Sequence, residues 1–371
     1  MIHLTHYRTA STTATELLDD ITFPQHVHWF PETYNKVGTG MFYAPHRLAE
    51  KVLDPELVTS LRENPVGKTA FILAAGNAHF AGINPRKTKP NRLSYEYKFL
   101  PFTLTQVYAG RVAQSMGATD HIVTDSTACA SSMKALMDVQ TLIQFYSYNR
   151  VIVLSLEDAV TNSVLEFFGE SQACLTKKEE DTGIKPSAFD SQNRGFHVGQ
   201  GAVLAVFEDA RTAWAGTKRP EAALLGAYTA AEACPNPIGQ REDGEGFIKA
   251  IRGAFDMSRA SASDVRVVKT HGTGTLSNNK AEKAALETLP NDFVGTSYKA
   301  KIGHTMGASG LLETCLLLDD LKRGVVPKIE NRTEHDDRFL SHDESNPGGL
   351  ILSLAAGMGN VYSAAILSTE I

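Results

Sequence analysis

Short apolar runs rich in β-branched residues recur between longer stretches with helical spacing, and this alternation restricts the chain to an α/β fold with buried strands. The runs are Ala70 to Ala75, Val151 to Leu156, Ala202 to Phe207, Val265 to Val268 and Val361 to Leu367. Helical spacing covers Cys129 to about Phe145, Gly246 to Arg259, Asn279 to Leu289 and Met306 to Leu321. A weak duplication relates Ala128-Cys129-Ala130-Ser131-Ser132-Met133 to Gly307-Ala308-Ser309-Gly310-Leu311-Leu312, each running into a helix. Between Asp209 and Pro220 a polar, Gly- and Pro-containing stretch separates two apolar runs. The expectation is two intertwined halves, residues 1–210 with Cys129 and residues 211–371 with His271 and His304.

At 371 residues and 42% hydrophobic content, the chain can bury one large core or two fused ones. A formal net charge of -6 argues against a general nucleic-acid binder, which needs a basic excess or a basic face. The one local basic stretch, Arg86-Lys87-Thr88-Lys89-Pro90-Asn91-Arg92, reads as a solvated loop. Four cysteines, at 129, 174, 234 and 315, have no Cys-x-x-Cys spacing and suggest neither a disulfide framework nor a zinc site. The first residues lack the basic start and apolar core of a secretory signal, and no apolar stretch reaches membrane-spanning length. A cytoplasmic protein, inserted in no membrane, is expected.

Cys129 lies where the Ile122-Val123 run gives way to a helical pattern, between the small residues Ala128, Ala130, Ser131 and Ser132. A thiol at a helix N-terminus feels the positive end of the dipole, so a lowered pKa and a reactive thiolate are expected. The Cys129 N–H is a candidate oxyanion donor, and a covalent acyl thioester is the natural intermediate. Cys174, Cys234 and Cys315 have no such setting and read as packing residues.

Two histidines stand in Gly-Thr-rich turns after apolar runs, where open α/β sheets present functional groups. They are His271 of His271-Gly272-Thr273-Gly274-Thr275 and His304 of Gly303-His304-Thr305-Met306-Gly307. The closest other pair, His26 and His28, has no metal-site spacing and no third ligand near it. No phosphate-binding glycine motif accompanies the candidate site, so a metal-free and nucleotide-free protein with no cofactor is expected.

In these elements the chain resembles the decarboxylating, elongating β-ketoacyl synthases. Cys129 lies in a T-A-C-A-x-S segment, His271 opens H-G-T-G-T, and His304 lies in G-H-x-x-G-A-x-G with Lys299 five residues before it. Glu282 follows the first histidine by eleven residues and Glu313 the second by nine, and Phe189-Asp190 through Gly201-Ala202 is similar to the family's F-D-x-x-R-D-G-F-x-x-G-E-G-A signature. The resemblance covers Asp125 to Leu367 in ordered pieces. It implies a thiolase-like fold, with two similar halves in a five-layered α-β-α-β-α core, usually dimeric. It implies that Cys129 takes an acyl group from acyl carrier protein or coenzyme A, and that His271 and His304 hold the malonyl thioester carbonyl during decarboxylation. Lys299 and Glu282 are then expected to tune the histidines, with Thr273, Thr275, Phe196, Asn279 and Glu313 in support.

The chain departs from the family at Asn279, where an aspartate is usual, at Gln200 for the signature glutamate, and at Asn193-Arg194 for the Arg-Asp pair. The C-terminal G-F-G-G gate reads Gly357-Met358-Gly359-Asn360, which puts Met358 at the gating position with its N–H as the second oxyanion donor. The first 64 residues match poorly. The leading expectation is a β-ketoacyl synthase partnered by acyl and malonyl carrier protein, as a homodimer or a ketosynthase heterodimer. The alternative is a non-condensing chain-length or scaffold subunit. A degradative thiolase lacks support, since the turn Ala355-Ala356-Gly357-Met358-Gly359 has no cysteine.

Overall fold

The computed structural model describes residues 1–13, 49, 51–76, 105–157, 162–171, 173–212, 220–236, 238–290, 292–334 and 338–370. His26, His28, the Arg86 to Arg92 stretch and most of the expected seam, 213–219, lie outside the described residues. The strands are β1 (Ile2–Thr13), β2 (Thr69–Ala74), β3 (His121–Asp125), β4 (Arg150–Glu157), β5 (Gly199–Asp209), β6 (Ala222–Ala231), β7 (Val265–Lys269), β8 (Val294–Thr296), β9 (Val325–Val326), β10 (Glu344–Ser345), β11 (Leu350–Gly357) and β12 (Val361–Ser368). All five apolar runs read from the sequence became strands, because continuous β-branched and apolar residues suit strands covered on both faces.

Ten of these strands form one sheet in the order β3-β2-β4-β5-β1-β6-β12-β11-β7-β8, and β9 pairs with β10 alone. Read inward from its two ends, that order is the same twice: β3-β2-β4-β5-β1 and β8-β7-β11-β12-β6. In each set the three outer strands run parallel and the fourth and fifth antiparallel. The two sets meet where Ile2 to Leu4 of β1 pair with Leu224 to Ala222 of β6.

Two helices occupy the interior, Ser131–Tyr146 and Ser309–Lys322. The second buries Leu311, Leu312, Cys315, Leu317, Leu318 and Leu321, and a helix apolar on nearly all sides belongs between layers, not on a surface. The helices touch through Gly310, where a Cβ would lie 2.1 Å from Met133 Cγ, and through the Leu311 N–H, which donates to Ser132 Oγ at 3.1 Å.

Each central helix is entered through a short 3-10 turn, Ala128–Ala130 and Met306–Ala308. Both turns begin on a left-handed residue, Ala128 at φ 48° and Met306 at φ 45°. The duplicated segments therefore align Ala128 with Met306 and Cys129 with Gly307, one residue earlier than the sequence match suggested. Among the described residues no helix is long and apolar enough to cross a membrane.

Candidate active site

Cys129 sits in the first of these turns. Its geometry is fixed by the Thr127 N–H donating to Ser131 Oγ at 2.9 Å, and by Ser131 Oγ donating to the Ala128 carbonyl at 2.6 Å. Left-handed backbone at a residue with a Cβ costs about 1–2 kcal/mol, a strain that clusters at functional turns. The end of β11 closes over the turn: a Cβ on Gly357 would lie 2.5 Å from the Thr127 carbonyl oxygen and 3.3 Å from the Cys129 nitrogen. Only glycine fits this approach, which sets Gly357 and Met358 beside the cysteine backbone.

His271 follows β7. Its backbone N–H donates to Glu282 Oε1 at 2.5 Å, that of Gly272 to Glu282 Oε2 at 2.9 Å, and Asn278 Nδ2 to the same oxygen at 2.9 Å. Glu282 thus holds the backbone of the His271 turn and the Asn278 side chain through its carboxylate. His304 is held by a parallel bridge to Val198 at the entry to β5, its N–H donating to the His197 carbonyl at 2.7 Å and its carbonyl accepting from the Gly199 N–H at 3.0 Å.

The two imidazoles meet edge to face with centroids 5.6 Å apart, and Phe196 packs its ring on His304 at 4.9 Å. Both rings are buried, and neither Nδ1 has a hydrogen-bond partner among the described residues. Burial first, then the Lys299 and Lys269 ammonium groups, hold both imidazoles well below the usual histidine pKa, and His304 adds to the effect on His271. At physiological pH both are therefore neutral, each with one N–H to donate.

The cysteine departs from expectation. Burial, reinforced by the Glu157 carboxylate and opposed by Lys299, pushes the Cys129 thiol up to about 12. Desolvation thus exceeds what the helix end contributes, and Cys129 rests as a thiol, so any reaction through its sulfur requires a proton acceptor beside it. Its sulfur lies 4.0 Å from Met306 Sδ, within a soft apolar cluster that includes Phe168, Cys174, Phe196 and Val198.

Cys129, His271, His304, Phe196, Thr273, Thr275, Gly357 and Met358 line one cavity of about 620 Å³. Of the remaining expected site residues, Lys299, Glu282, Glu313 and Asn279 stand behind its wall. Lys299 Nζ bonds Glu313 Oε1 at 2.8 Å, and Asn279 Oδ1 accepts from the Phe189 N–H at 3.2 Å, tying the Phe189-Asp190 element to the helix after His271. Cys234 also lines the cavity, while Cys174 and Cys315 are packed in apolar clusters. Two buried charged residues that act on the cysteine and histidines escaped the sequence reading. Lys269 ends β7, with Nζ 2.7 Å from the Leu354 carbonyl oxygen and 3.4 Å from Glu313 Oε2. Glu157 ends β4, where Oε2 accepts from the Gly76 N–H at 2.6 Å and the Gly307 N–H at 3.2 Å. A charged residue closing an apolar run was the available signal for both.

A thiol on a helix end, faced by two neutral imidazoles and set between two α/β halves of equal topology, defines the thiolase-like class. Family models described as beta-ketoacyl synthase, N-terminal domain and beta-ketoacyl synthase, C-terminal domain match residues 49–213 and 222–333, and the chain belongs to the beta-ketoacyl synthase family. It is 28% identical over 275 residues to the actinorhodin polyketide putative beta-ketoacyl synthase 1 of Streptomyces coelicolor, a match covering 72% of this chain and 58% of that protein. It is 27% identical over 338 residues to the tetracenomycin polyketide synthase ketoacyl synthase alpha subunit of Streptomyces glaucescens, covering 88% and 79%. Among solved structures, a type II polyketide ketosynthase with its acyl carrier protein, bound to a hexaketide, superposes with TM-score 0.79 at 17% identity over 99% of this chain and 98% of that one. The ketosynthase ApeO in complex with its chain length factor ApeC from Xenorhabdus doucetiae superposes with TM-score 0.74 at 18% identity over 99% and 97%.

Proposed function

We propose that the protein is a β-ketoacyl-ACP synthase that joins an acyl thioester to malonyl carrier protein by decarboxylative Claisen condensation, in fatty acid or polyketide assembly. The observation that carries this reading is the convergence of Cys129, His271 and His304 on one cavity. In the first half-reaction Cys129 Sγ attacks the acyl carbon, its proton passes to a neutral imidazole and on to the departing sulfur, and the carrier leaves as a thiol. The backbone N–H groups of Cys129 and Met358 receive the oxyanion. In the second, the His271 and His304 N–H groups donate to the malonyl thioester oxygen. The carbon–carboxylate bond breaks to release carbon dioxide, its electron pair forming an enolate. The enolate carbon attacks the acyl-Cys129 carbon, and the cysteine sulfur leaves as a thiolate that takes a proton from solvent. No cofactor takes part in these steps.

Acyl and malonyl carrier proteins are the proposed partners, and the working unit is a homodimer or a ketosynthase heterodimer in the cytoplasm, with halves divided near residues 210 and 211. A second reading draws on the neighbours that include chain length factors. As such a partner the protein would set chain length without condensing, and the intact cysteine and histidines favour the first reading. The deciding experiment incubates the protein with acyl carrier protein and labelled malonyl carrier protein and weighs the products. A β-ketoacyl thioester two carbons longer supports condensation. Acylation-free protein that alters only the product length of an added ketosynthase supports the second reading.

A further inference from the structure

Lys269 is the last residue of β7, two before His271, and it is fully buried. A buried ammonium needs both a counter-charge and hydrogen-bond acceptors. The acceptor is informative. The parallel ladder between β11 and β7 ends with Ser353 opposite Lys269, and the next carbonyl of β11, that of Leu354, is met by the Lys269 ammonium at 2.7 Å. The side chain thereby holds β11 one rung beyond the ladder, just before Ala355-Ala356-Gly357-Met358 reach the cysteine.

The counter-charge is Glu313, but Glu313 is already held by Lys299 at 2.8 Å and takes Lys269 at 3.4 Å. The two lysines thus share one buried carboxylate, each through a different oxygen. The groups facing Lys269 from the packed elements are Glu313 on the helix Ser309–Lys322, Lys299 on the turn Lys299–Ile302 and Glu282 on the helix Leu276–Leu286. Glu282 also faces Lys269 electrostatically, while its carboxylate oxygens accept from the backbone N–H groups of the His271 turn.

We propose that Lys269 is a positioning residue of this site: its ammonium ties the end of β11 to the Glu313–Lys299 pair and supplies a positive field that disfavours protonation of His271 and His304 and favours negative charge on the oxygen they face. The proposal rests on the ketosynthase reading for its catalytic meaning, while the electrostatic link stands on the geometry alone. Burial foremost, and Lys299 after it, lower Lys269 to about 8, against the pull of Glu313 and Glu282. The ammonium is therefore present at neutral pH and lost as pH rises through about 8.

The test uses the full chain and Lys269→Met. Imidazole titrations of His271 and His304, followed by NMR, should move to higher pH in the variant, because a repelling cation has been removed. Wild-type decarboxylation of malonyl carrier protein should fall as pH rises through about 8. At neutral pH the variant should be slower by about tenfold, the order expected for removal of one buried charge near the reacting atoms, and should lose the alkaline limb. A packing role alone would slow the reaction without erasing that limb. Unmoved imidazole titrations, or a wild-type rate flat across the alkaline range, overturn the proposal. If Lys269→Met does not fold, the wild-type alkaline limb and the NMR titration of the Lys269 Cε decide it. Moved imidazole titrations with no decarboxylation by either protein would leave Lys269 in place and remove the ketosynthase reading instead.

Discussion

The turns Ala128–Ala130 and Met306–Ala308 share a left-handed first residue, a 3-10 turn and entry into a buried helix, yet only one holds a thiol. Their surroundings are exchanged between the halves. Gly357, at the end of β11, presses on the Cys129 turn, while Glu157, at the equivalent end of β4, reaches the Gly307 turn. After β7 the chain carries His271, and after β2 it carries Gly76, whose N–H bonds Glu157. The duplicated backbone therefore builds two equivalent sites. One opens onto the cavity, and the other is filled by a carboxylate accepting from the backbone. The difference teaches that the strained turn is a property of the fold, whereas the chemistry comes from which side chains the opposite half delivers to it.

The sharpest way to break this comparison is to make the Cys129 turn resemble its counterpart. Cys129→Ala should keep the fold and abolish condensation, measured as loss of the β-ketoacyl product. Removing the imidazoles comes next. Each donor to an oxyanion in a dry site contributes about 3–4 kcal/mol, so His271→Ala and His304→Ala should each slow carbon dioxide release on the order of a hundredfold. Acyl transfer should suffer less, since the helix end and backbone N–H groups remain, and stopped-time assays of the two half-reactions separate the effects. Because both imidazoles are neutral well below the usual histidine range, wild-type decarboxylation should also hold its rate as pH falls toward 6.5.

On the other side of the comparison, Gly307→Ala would place a Cβ 2.3 Å from the Gly76 nitrogen and 2.7 Å from Glu157 Oε2. Overpacking of this kind costs about 1–3 kcal/mol, and a lower denaturation midpoint should reveal it. An unchanged midpoint would mean that the filled turn is looser than described. The smallest effect is expected from Glu157→Gln, which keeps an acceptor oxygen but removes the charge that raises the Cys129 thiol. Iodoacetamide alkylation of Cys129 should then begin at lower pH than in wild type.

Much of this was legible in the sequence, and the exceptions have physical reasons. The β-branched runs announced β2, β4, β5, β7 and β12 because their composition excludes most alternatives. β6 was missed, since half of Ala222 to Ala231 is alanine and the segment signals a strand only through its pairing with β12 and β1. β1 interleaves His3, Thr5, His6 and Arg8 with its buried Ile2, Leu4 and Tyr7, so it reads as polar. Cys129, His271 and His304 were readable because small residues and glycines surround each of them. The thiol's raised pKa was not, because burial depends on the opposite half of the molecule and outweighs the local helix end. Lys269 and Glu157 went unread for the same reason: their partners lie 44 and 85 residues away for Lys269, and 81 and 150 residues away for Glu157.

The central claim, that one of two equivalent turns carries the acyl group, is tested most directly by peptide mapping after incubation with acyl carrier protein. The account predicts the acyl mass on the peptide holding Cys129 and on no other cysteine. Acylation of Cys174, Cys234 or Cys315 with Cys129 left free, or no acyl-enzyme at all, would contradict it.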